Sequence, residues 1–167
     1  GIAKDVVITK PSPPSVIPQP VKIECREGYF EINERTMVSL DRIHWDNKKI
    51  RSVVSLLSEL TRSKMKYARP GISKHNNIIR VEIVNDQSLG EEGYVLEVNP
   101  DSVIIQAQQP AGLVNAVQSI VQIVSPSIFK KGRKERLAIP CVSILDTPRF
   151  KWRGMHLDVS RHFFPIK

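Results

Sequence analysis

Hydrophobic residues recur at every second position in two neighbouring stretches, 94–98 and 103–107. That spacing is typical of β-strands with one buried face. Between the two stretches, residues 99–102 read Asn-Pro-Asp-Ser, a composition that favours a tight turn. Two alternating stretches joined by such a turn predict an antiparallel β-hairpin in the middle of the chain.

Elsewhere the hydrophobic residues lie three and four positions apart, which predicts two amphipathic helices. The first is expected over roughly residues 47–63 with Asp46 as its N-cap. The second is expected to begin after Pro110 and to be closed by Pro126. The buried stripe of the first helix should consist of Ile50, Val53, Val54, Leu57 and Leu60. That of the second should consist of Leu113, Val117, Ile120, Val121 and Val124.

Shorter runs rich in β-branched and aromatic residues predict further strands. They lie at 2–9, 22–25, 29–32, 36–40, 77–84, 137–145 and 151–159. A turn at Glu27-Gly28 is expected to join the second of these to the third. Five prolines within residues 10–20 indicate an extended linker, because proline fixes φ and cannot donate a ladder hydrogen bond.

The order of these elements predicts an α+β fold, in which an open, mostly antiparallel or mixed sheet has two helices packed on one face. The antiparallel hairpin argues against a doubly wound parallel sheet. A length of 167 residues suits one compact domain with a ragged end. No hydrophobic run approaches the ~20 residues that a membrane span needs, so none is expected.

The net charge of +8 is partly concentrated in residues 130–136, which hold five lysines and arginines. A basic balance can attract nucleic acid, a membrane surface or an acidic glycan. This stretch contains no aromatic residue on which a base could stack. A solvated loop is therefore favoured, and no nucleic-acid partner is expected.

The residue types that hold metals or cofactors show no informative spacing. Cys25 and Cys141 lie far apart in the sequence and could form one disulfide or remain two buried thiols. His44, His75 and His156 do not have the spacing of metal ligands, and the HExxH, P-loop and G-x-G-x-x-G patterns do not occur. No metal ion or other cofactor is expected.

The stretch IPCVSILDTPRFKWRGMHLDVSRHFFP, residues 139–165, resembles the family 20 glycoside hydrolases. The family pattern D-x-P-R-F-x-x-R-G-x-x-L-D-x-S-R-H is matched over 146–162. Residues 17–20, 28–30 and the predicted hairpin are similar to earlier segments of the same family. The resemblance therefore covers nearly the whole chain from about residue 16.

The second predicted helix both follows and departs from the family. Ala111-Gly112 opens it as in the family. Where the family commonly has Tyr-Gly and then Gln-Thr, this chain has Asn115-Ala116 and Gln118-Ser119. The resemblance implies that those positions shape the packing between domains, so the contacts of this helix are expected to differ in detail.

The resemblance also implies a division of the chain. Residues 1–15 would form an N-terminal strand and proline-rich linker, and 16–146 a non-catalytic domain of the type called chitobiase or hexosaminidase domain 2. Residues 147–167 would be the start of a (β/α)8 catalytic (TIM) barrel, truncated after its first strand. Arg149 and Arg153 are expected to anchor that strand against the preceding domain.

The activity that the resemblance implies is that of a β-N-acetylhexosaminidase, a glycosidase of carbohydrate metabolism. Such an enzyme removes terminal β-linked N-acetylglucosamine or N-acetylgalactosamine with retention, and the acetamido oxygen of the substrate acts as the nucleophile. In the family the catalytic Asp-Glu pair lies on a later barrel strand. We therefore expect no catalytic residue before Lys167, and this chain alone should be inactive.

The implied partners and location follow from the same resemblance. The partners would be glycans ending in N-acetylhexosamine, reached through the full-length enzyme, together with the downstream barrel. The location would be periplasmic or secreted, and no signal peptide is recognisable in this sequence.

By resemblance, Arg161 binds the 3- and 4-hydroxyls of the terminal sugar. It follows the strand at 151–159, and ligands of such barrels meet the C-terminal ends of the strands. Its planar guanidinium can donate to two neighbouring hydroxyls together. Without the resemblance, an ion pair with Asp158 or a solvated arginine at the strand end would be favoured. Asp158 either holds Arg161 in place or forms the turn at the strand end. His162 either hydrogen-bonds a nearby carboxylate or packs as a satisfied histidine.

A second hypothesis belongs to another class of function. The chain could be a free-standing, non-catalytic scaffold domain that binds glycans or polyanions through residues 130–136. It predicts an affinity for heparin-like ligands that falls steeply with salt.

Overall fold

The computed structural model of the chain describes residues 16–40, 46–61, 65–68, 76–124 and 137–147. The expected strands at 2–9 and 151–159 lie outside these residues, as do Pro126 and the basic stretch 130–136. The described strands are β1 (Lys22–Ile32), β2 (Met37–Leu40), β3 (Lys66–Tyr67), β4 (Ile78–Ile83), β5 (Tyr94–Val98), β6 (Ser102–Ala107) and β7 (Leu137–Asp146). The helices are α1 (Lys48–Thr61) and α2 (Pro110–Ile123), with a short 3₁₀ turn at Gln87–Leu89.

The seven strands form one mixed sheet in the order β1-β7-β5-β6-β4-β2-β3. The neighbouring pairs β1-β7, β7-β5 and β5-β6 are antiparallel, and the pairs β6-β4, β4-β2 and β2-β3 are parallel. The predicted hairpin is confirmed, since Tyr94 pairs with Ala107 and Val98 with Val103. Strands β2 and β3 are joined through α1, the kind of crossover that parallel pairing requires. The prediction of a mixed sheet with two helices is thus confirmed.

The turn expected at Glu27-Gly28 is wrong, because β1 is one continuous strand that pairs with β7 on both sides of that position. Cys25 pairs with Val142 and Tyr29 with Pro140, so β1 advances four residues (25 to 29) where β7 advances two (142 to 140). Gly28 has φ 101°, a value that L-residues with a side chain rarely adopt. A β-bulge therefore takes up the extra residues that we interpreted as a turn.

Helix α1 begins one residue later than expected, and its cap is Asn47 rather than Asp46. The Asn47 Oδ1 accepts hydrogen bonds from the backbone N–H groups of Lys49, at 3.0 Å, and Ile50, at 3.4 Å. These are donors of the first helical turn that have no partner within the helix. Within the described residues, no helix is long and apolar enough to cross a membrane.

The two helices share one hydrophobic core with the sheet. Helix α2 lies against β5, β6 and β7 and also contacts α1. Its buried residues include Leu113, Ala116, Val117, Ile120 and Ile123, whereas the predicted core residue Val121 is only half-buried. The helix ends at Ile123, and the backbone N–H of Val124 closes it on the carbonyl of Ile120.

Helix α2 approaches the sheet so closely that backbone meets backbone. A Cβ placed on Gly112 would lie 2.1 Å from the carbonyl oxygen of Gly93 and 2.8 Å from the Cβ of Ala107. Gly93 is equally confined, with 2.0 Å between its own hypothetical Cβ and the carbonyl oxygen of Leu89. Gly112 thus permits the close approach of α2 to the start of β5, and Gly93 permits the close approach of β5 to Leu89.

Asn77 connects the end of β1 to the parallel half of the sheet. It is a non-glycine residue with φ 66°, a conformation that asparagine tolerates better than most residues. Its Nδ2 donates to the carbonyl of Glu31 at 2.6 Å, and its Oδ1 accepts from the buried Thr36 hydroxyl. Its backbone N–H donates to the carbonyl of Asp101 at 2.7 Å.

Candidate functional site

The candidate site is a small cleft between helix α2 and the end of strand β7, which we call the exit cleft. It contains about 280 Å³ of space, including space that is open to solvent. Four segments of the chain contribute to its walls: the segment before β1, the start of β5, the outer face of α2 and the last residue of β7. The lining residues are Val16, Ile17, Pro18, Tyr94, Asn115, Gln118, Ser119, Gln122 and Asp146.

The floor of the exit cleft is formed where β5 and β7 pair. Tyr94 lies directly opposite Asp146 in the antiparallel ladder, so the two side chains emerge on the same face of the sheet. The Tyr94 hydroxyl lies 2.6 Å from Ser119 Oγ on α2, which shows that this face is the one that α2 covers. Asp146 is only 9% exposed although it stands at the end of its strand.

The Tyr94 and Ser119 hydroxyls form a short chain of hydrogen bonds. Ser119 Oγ donates to the carbonyl of Asn115 at 3.1 Å. Its hydrogen is thereby used, so the bond between the two hydroxyls has Tyr94 as its donor. This arrangement satisfies a phenol and a serine hydroxyl that are both almost fully buried.

One wall of the cleft is held by the side-chain amide of Gln122. Its Oε1 accepts from the backbone N–H of Ile17 at 2.7 Å, and its Nε2 donates to the carbonyl of Ile17 at 3.1 Å. A glutamine side chain thus pairs with both polar groups of one backbone residue, as a neighbouring strand would. This pair keeps the segment before β1 beside helix α2.

The opposite wall is fixed by Asn115, whose Nδ2 donates to the carbonyl of Glu92 at 2.9 Å. Asn115, Gln118 and Ser119 are three of the four positions at which α2 departs from the family pattern, and the fourth, Ala116, is buried in the core. Their expected role in contacts between domains stays a prediction. Asp146, the first residue of the C-terminal motif, completes the cleft.

The described lining of the exit cleft offers hydroxyl and amide groups and one carboxylate, and none of these residues is a lysine or an arginine. Among the residues that the structure describes, no group of three His, Cys, Asp or Glu side chains could hold a metal ion.

The two cysteines are free thiols in this structure. Cys25 is exposed on the edge strand β1, whereas Cys141 on β7 is 2% exposed. Burial raises the pKa of the Cys141 thiol, because the charged thiolate loses hydration.

The sugar-binding residue expected from the sequence, Arg161, lies outside the described residues. So do Asp158 and His162, the two residues expected to assist it. Their roles stay predictions. Sequence reasoning singled out Asp146 and the unusual residues of α2 separately, but it did not bring them together into one cleft.

Comparison with known proteins now identifies the family. Residues 13–147 match the family model described as glycosyl hydrolase family 20, domain 2. The chain is 32% identical over 155 residues to the beta-N-acetylhexosaminidase of Cellulomonas fimi, covering 91% of this chain and 30% of that protein. It is 29% identical over 153 residues to the beta-hexosaminidase of Vibrio furnissii, covering 92% of this chain and 23% of that protein.

Solved structures give the same result. The GH20 beta-N-acetylhexosaminidase of Streptomyces coelicolor A3(2) superposes with a TM-score of 0.71 at 30% identity, covering 89% of this chain and 29% of that one. The N-acetyl-beta-hexosaminidase of Streptomyces plicatus gives a TM-score of 0.70 at 30% identity with the same coverage. The chain spans less than a third of the length of these relatives. It belongs to glycosyl hydrolase family 20, and residues 13–147 are its domain 2.

Proposed function

We propose that this chain is the non-catalytic accessory domain of a retaining exo-β-N-acetylhexosaminidase. The observation that supports this most strongly is the match of residues 13–147 to domain 2 of the family. The relatives matched over about nine-tenths of the chain are named as hexosaminidases. The parent protein would hydrolyse glycans that end in β-linked N-acetylglucosamine or N-acetylgalactosamine.

The proposed role of the domain is to support the catalytic barrel. Strand β7 pairs with β1 from Leu137 to Leu145 and with β5 from Val142 to Asp146, so its C-terminal half has a neighbour on each side. Whatever follows Thr147 therefore leaves from an interior strand whose direction is fixed by two neighbours. The polar residues of α2 that line the exit cleft would lie where the barrel begins.

The proposed chemistry uses the substrate's own acetamido oxygen as the nucleophile. One carboxylate of an Asp-Glu pair would stabilise the oxazolinium-like ion, and the other would act as general acid. Both would lie beyond Lys167. Arg161 would hold the 3- and 4-hydroxyls of the sugar, with Asp158 and His162 beside it. A periplasmic or secreted location fits this activity.

The proposal is tested with the chain ending at Lys167 and with a version extended by the downstream reading frame. Both are assayed on a chromogenic β-N-acetylglucosaminide. The extended protein should hydrolyse it and the 167-residue chain should not. Activity in the shorter chain, or an extended protein that is folded and inactive, would overturn the proposal.

The sugar-binding role of Arg161 has its own test in the extended protein. Arg161→Gln should lower kcat/KM by roughly 100-fold or more, because two hydrogen bonds to a charged group would be lost, each contributing about 1.5–3 kcal/mol, and 1.4 kcal/mol is a factor of ten. Arg133→Gln, a change within the basic stretch, is the matched control and should leave kcat/KM unchanged. Equal effects of the two changes would refute a specific role for Arg161.

A further inference from the structure

Strand β1 forms one edge of the sheet and carries an unusual share of exposed hydrophobic surface. Within the described part of the chain it has a neighbour on one side only, β7. The backbone N–H and C=O groups of an edge strand can pair with a further strand. Among the described residues, the large hydrophobic side chains that are exposed are those of Ile17, Val21 and Tyr29, and all three lie within β1 or in the five residues before it. The β1 edge therefore offers both the backbone groups and the apolar surface that a docking strand needs.

The regular part of the β1 edge is short. Lys22 to Cys25 pair one to one with Leu145 to Val142, and the bulge begins after Cys25. A bulge bends its strand and disrupts the ladder locally, so a docking strand can follow β1 in register only before that point. Val21 immediately precedes this segment and is 54% exposed. The segment available for docking is thus residues 21–25, with the sequence Val-Lys-Ile-Glu-Cys.

The two faces of residues 21–25 differ in chemistry. Ile23 and Cys25 lie opposite two buried residues of β7, so their side chains point to the face that carries the core. By the alternation of a strand, Val21 continues this apolar row. Lys22 and Glu24 point to the other face, where Lys22 Nζ lies 2.8 Å from Glu24 Oε1. A docking strand must therefore present an apolar row on one face and complementary charges on the other.

A second copy of the same segment meets both requirements when it runs antiparallel about Ile23. In that register Ile23 faces its own counterpart, and Val21 faces Cys25 of the second copy, so the apolar row continues across the contact. On the other face Lys22 faces Glu24 of the second copy. Because the arrangement is two-fold, this pair of opposite charges occurs twice, and opposite charges directly across an antiparallel ladder are favourable.

The other two-fold registers of this segment lose that match. Centring the contact on Lys22 or on Glu24 brings two equal charges face to face, which is unfavourable. Centring it on Cys25 pairs Glu24 with Arg26 but carries the contact into the bulge. The charges and the bulge thus select the register about Ile23 for a second copy of this chain.

We propose that a second copy of this chain docks on the β1 edge, antiparallel about Ile23, so that the two sheets join into one. The contact involves only residues 21–25 of each copy, which is much smaller than the standard interface of about 800 Å² per partner. The association is therefore weak and reversible, with a Kd of roughly 0.1 mM. It does not depend on the proposed hexosaminidase activity.

A disulfide that can form in one register only tests the geometry. Val21→Cys places a thiol opposite Cys25 of the second copy, where the two Cα atoms fall within the ~4.4–6.8 Å that a disulfide needs. Oxidised glutathione should then give a covalent dimer on a non-reducing gel, as two thiols form one S–S bond and glutathione is reduced. Within one copy, or between the two copies of Cys25, the thiols are four residues out of register, ~13 Å at ~3.3 Å per residue, so the parent chain should not crosslink. Ile17→Cys is the matched control, because Ile17 is more exposed than Val21 but its backbone is held by Gln122, and it should stay monomeric.

A charge swap tests the pairing of lysine with glutamate. Sedimentation equilibrium of the 167-residue chain, up to about 1 mM, measures the Kd. Glu24→Lys should raise the Kd at least roughly tenfold, because two favourable pairs become repulsive. The double variant Lys22→Glu/Glu24→Lys restores opposite charges in the same register and should return the Kd to within about threefold of the parent. Glu34→Lys makes the same change of net charge at an exposed site after β1 and should leave the Kd unchanged.

Three results would each overturn the proposal. The first is a parent chain that stays monomeric throughout this concentration range. The second is an Ile17→Cys protein that crosslinks as readily as Val21→Cys, since contact would then not follow the register. The third is a double variant that associates as weakly as Glu24→Lys. Failure of the hexosaminidase assay would leave each of these readings unaffected.

Discussion

The close contact between α2 and the start of β5 predicts that Gly112→Ala strongly destabilises the domain. The new methyl would lie 2.1 Å from the carbonyl oxygen of Gly93, whereas ordinary contacts begin near 3.4 Å. The two backbones would have to separate by about 1.3 Å, the difference of those distances. The obstructing atom belongs to the backbone, so it cannot rotate away as a flexible side chain would.

The expected loss of stability follows from the contacts between α2 and the sheet that this separation weakens. A radial gap of 0.5–1 Å already removes about a quarter to a half of the dispersion attraction between facing atoms, and inserting a methyl into a packed core costs about 1–3 kcal/mol. We take the upper end, because Leu113, Val117 and Ile120 would all retreat with the helix. The higher helix propensity of alanine returns about 1 kcal/mol at most. We expect a net loss of about 2–3 kcal/mol, which corresponds to a fall in Tm of roughly 5–10 °C.

Thermal and urea unfolding followed by circular dichroism would measure this loss. Gly90→Ala is the matched control, because its methyl would meet nothing within 4 Å. Gly90 has φ 63° and ψ −159°, a region essentially restricted to glycine, so this control should lose about 1–3 kcal/mol from backbone strain alone. A Gly112→Ala protein with a Tm within about 2 °C of the parent would refute the close approach as described.

Three further predictions concern single residues. Asn77→Gly keeps the backbone conformation but removes two side-chain hydrogen bonds, so the free energy of unfolding measured in urea should fall by about 2 kcal/mol. Asn77→Ala should lower it further, because alanine is strained at positive φ, and equal losses for the two variants would contradict this reasoning. A thiol reagent should label Cys25 in the native protein and Cys141 only after unfolding, and immediate labelling of both thiols would contradict the burial of Cys141. The free energy of unfolding should fall above about pH 8.5, because the pKa of Cys141 is raised in the folded protein and its thiolate therefore forms more readily in the unfolded chain. Tyr94→Phe should cost about 1 kcal/mol in thermal unfolding, and less in a Ser119→Ala background, because the hydrogen bond between the two hydroxyls is then already absent.

The pattern of hydrophobic and turn-forming residues correctly predicted those elements whose sequence signal lies within one short stretch of the chain. The β5–β6 hairpin was correct because alternation and turn composition agree over one continuous stretch. The order of the sheet was not predictable in this way, since β7 inserts between β1 and β5 from a distant part of the chain. Strand β3 has only two residues and hence no periodicity to detect.

The turn that we wrongly predicted within β1 shows that one local sequence signal can be compatible with two different structures. A glycine with positive φ serves a tight turn and a β-bulge equally well. What decides between them is whether the segments on either side pair with each other or with the same third strand. In this chain both segments pair with β7, and β7 lies more than a hundred residues further along.

The exit cleft was hidden from sequence reasoning for a related reason. Ile17, Tyr94, Ser119 and Asp146 come from four separate segments, and each has an ordinary local explanation. The available signals were the unusual polar residues of α2 and the aspartate that opens the C-terminal motif. Only the pairing of Tyr94 with Asp146 and the contact of Tyr94 with Ser119 place them side by side.

The position of β7 within the sheet determines how far a change in the core should be felt. An edge strand could swing about its single ladder, but β7 has ladders on both sides and ends beneath α2. The contact of Gly112 with Gly93 limits the separation of α2 from the start of β5, and residues of α2 line the exit cleft beside Asp146. Widening the cleft should therefore loosen the chain beyond Thr147 even where the sheet stays intact. In the extended protein, Gly112→Ala should accordingly lower hydrolysis at temperatures well below its Tm, and an unchanged kcat/KM there would show that the exit of β7 does not depend on α2.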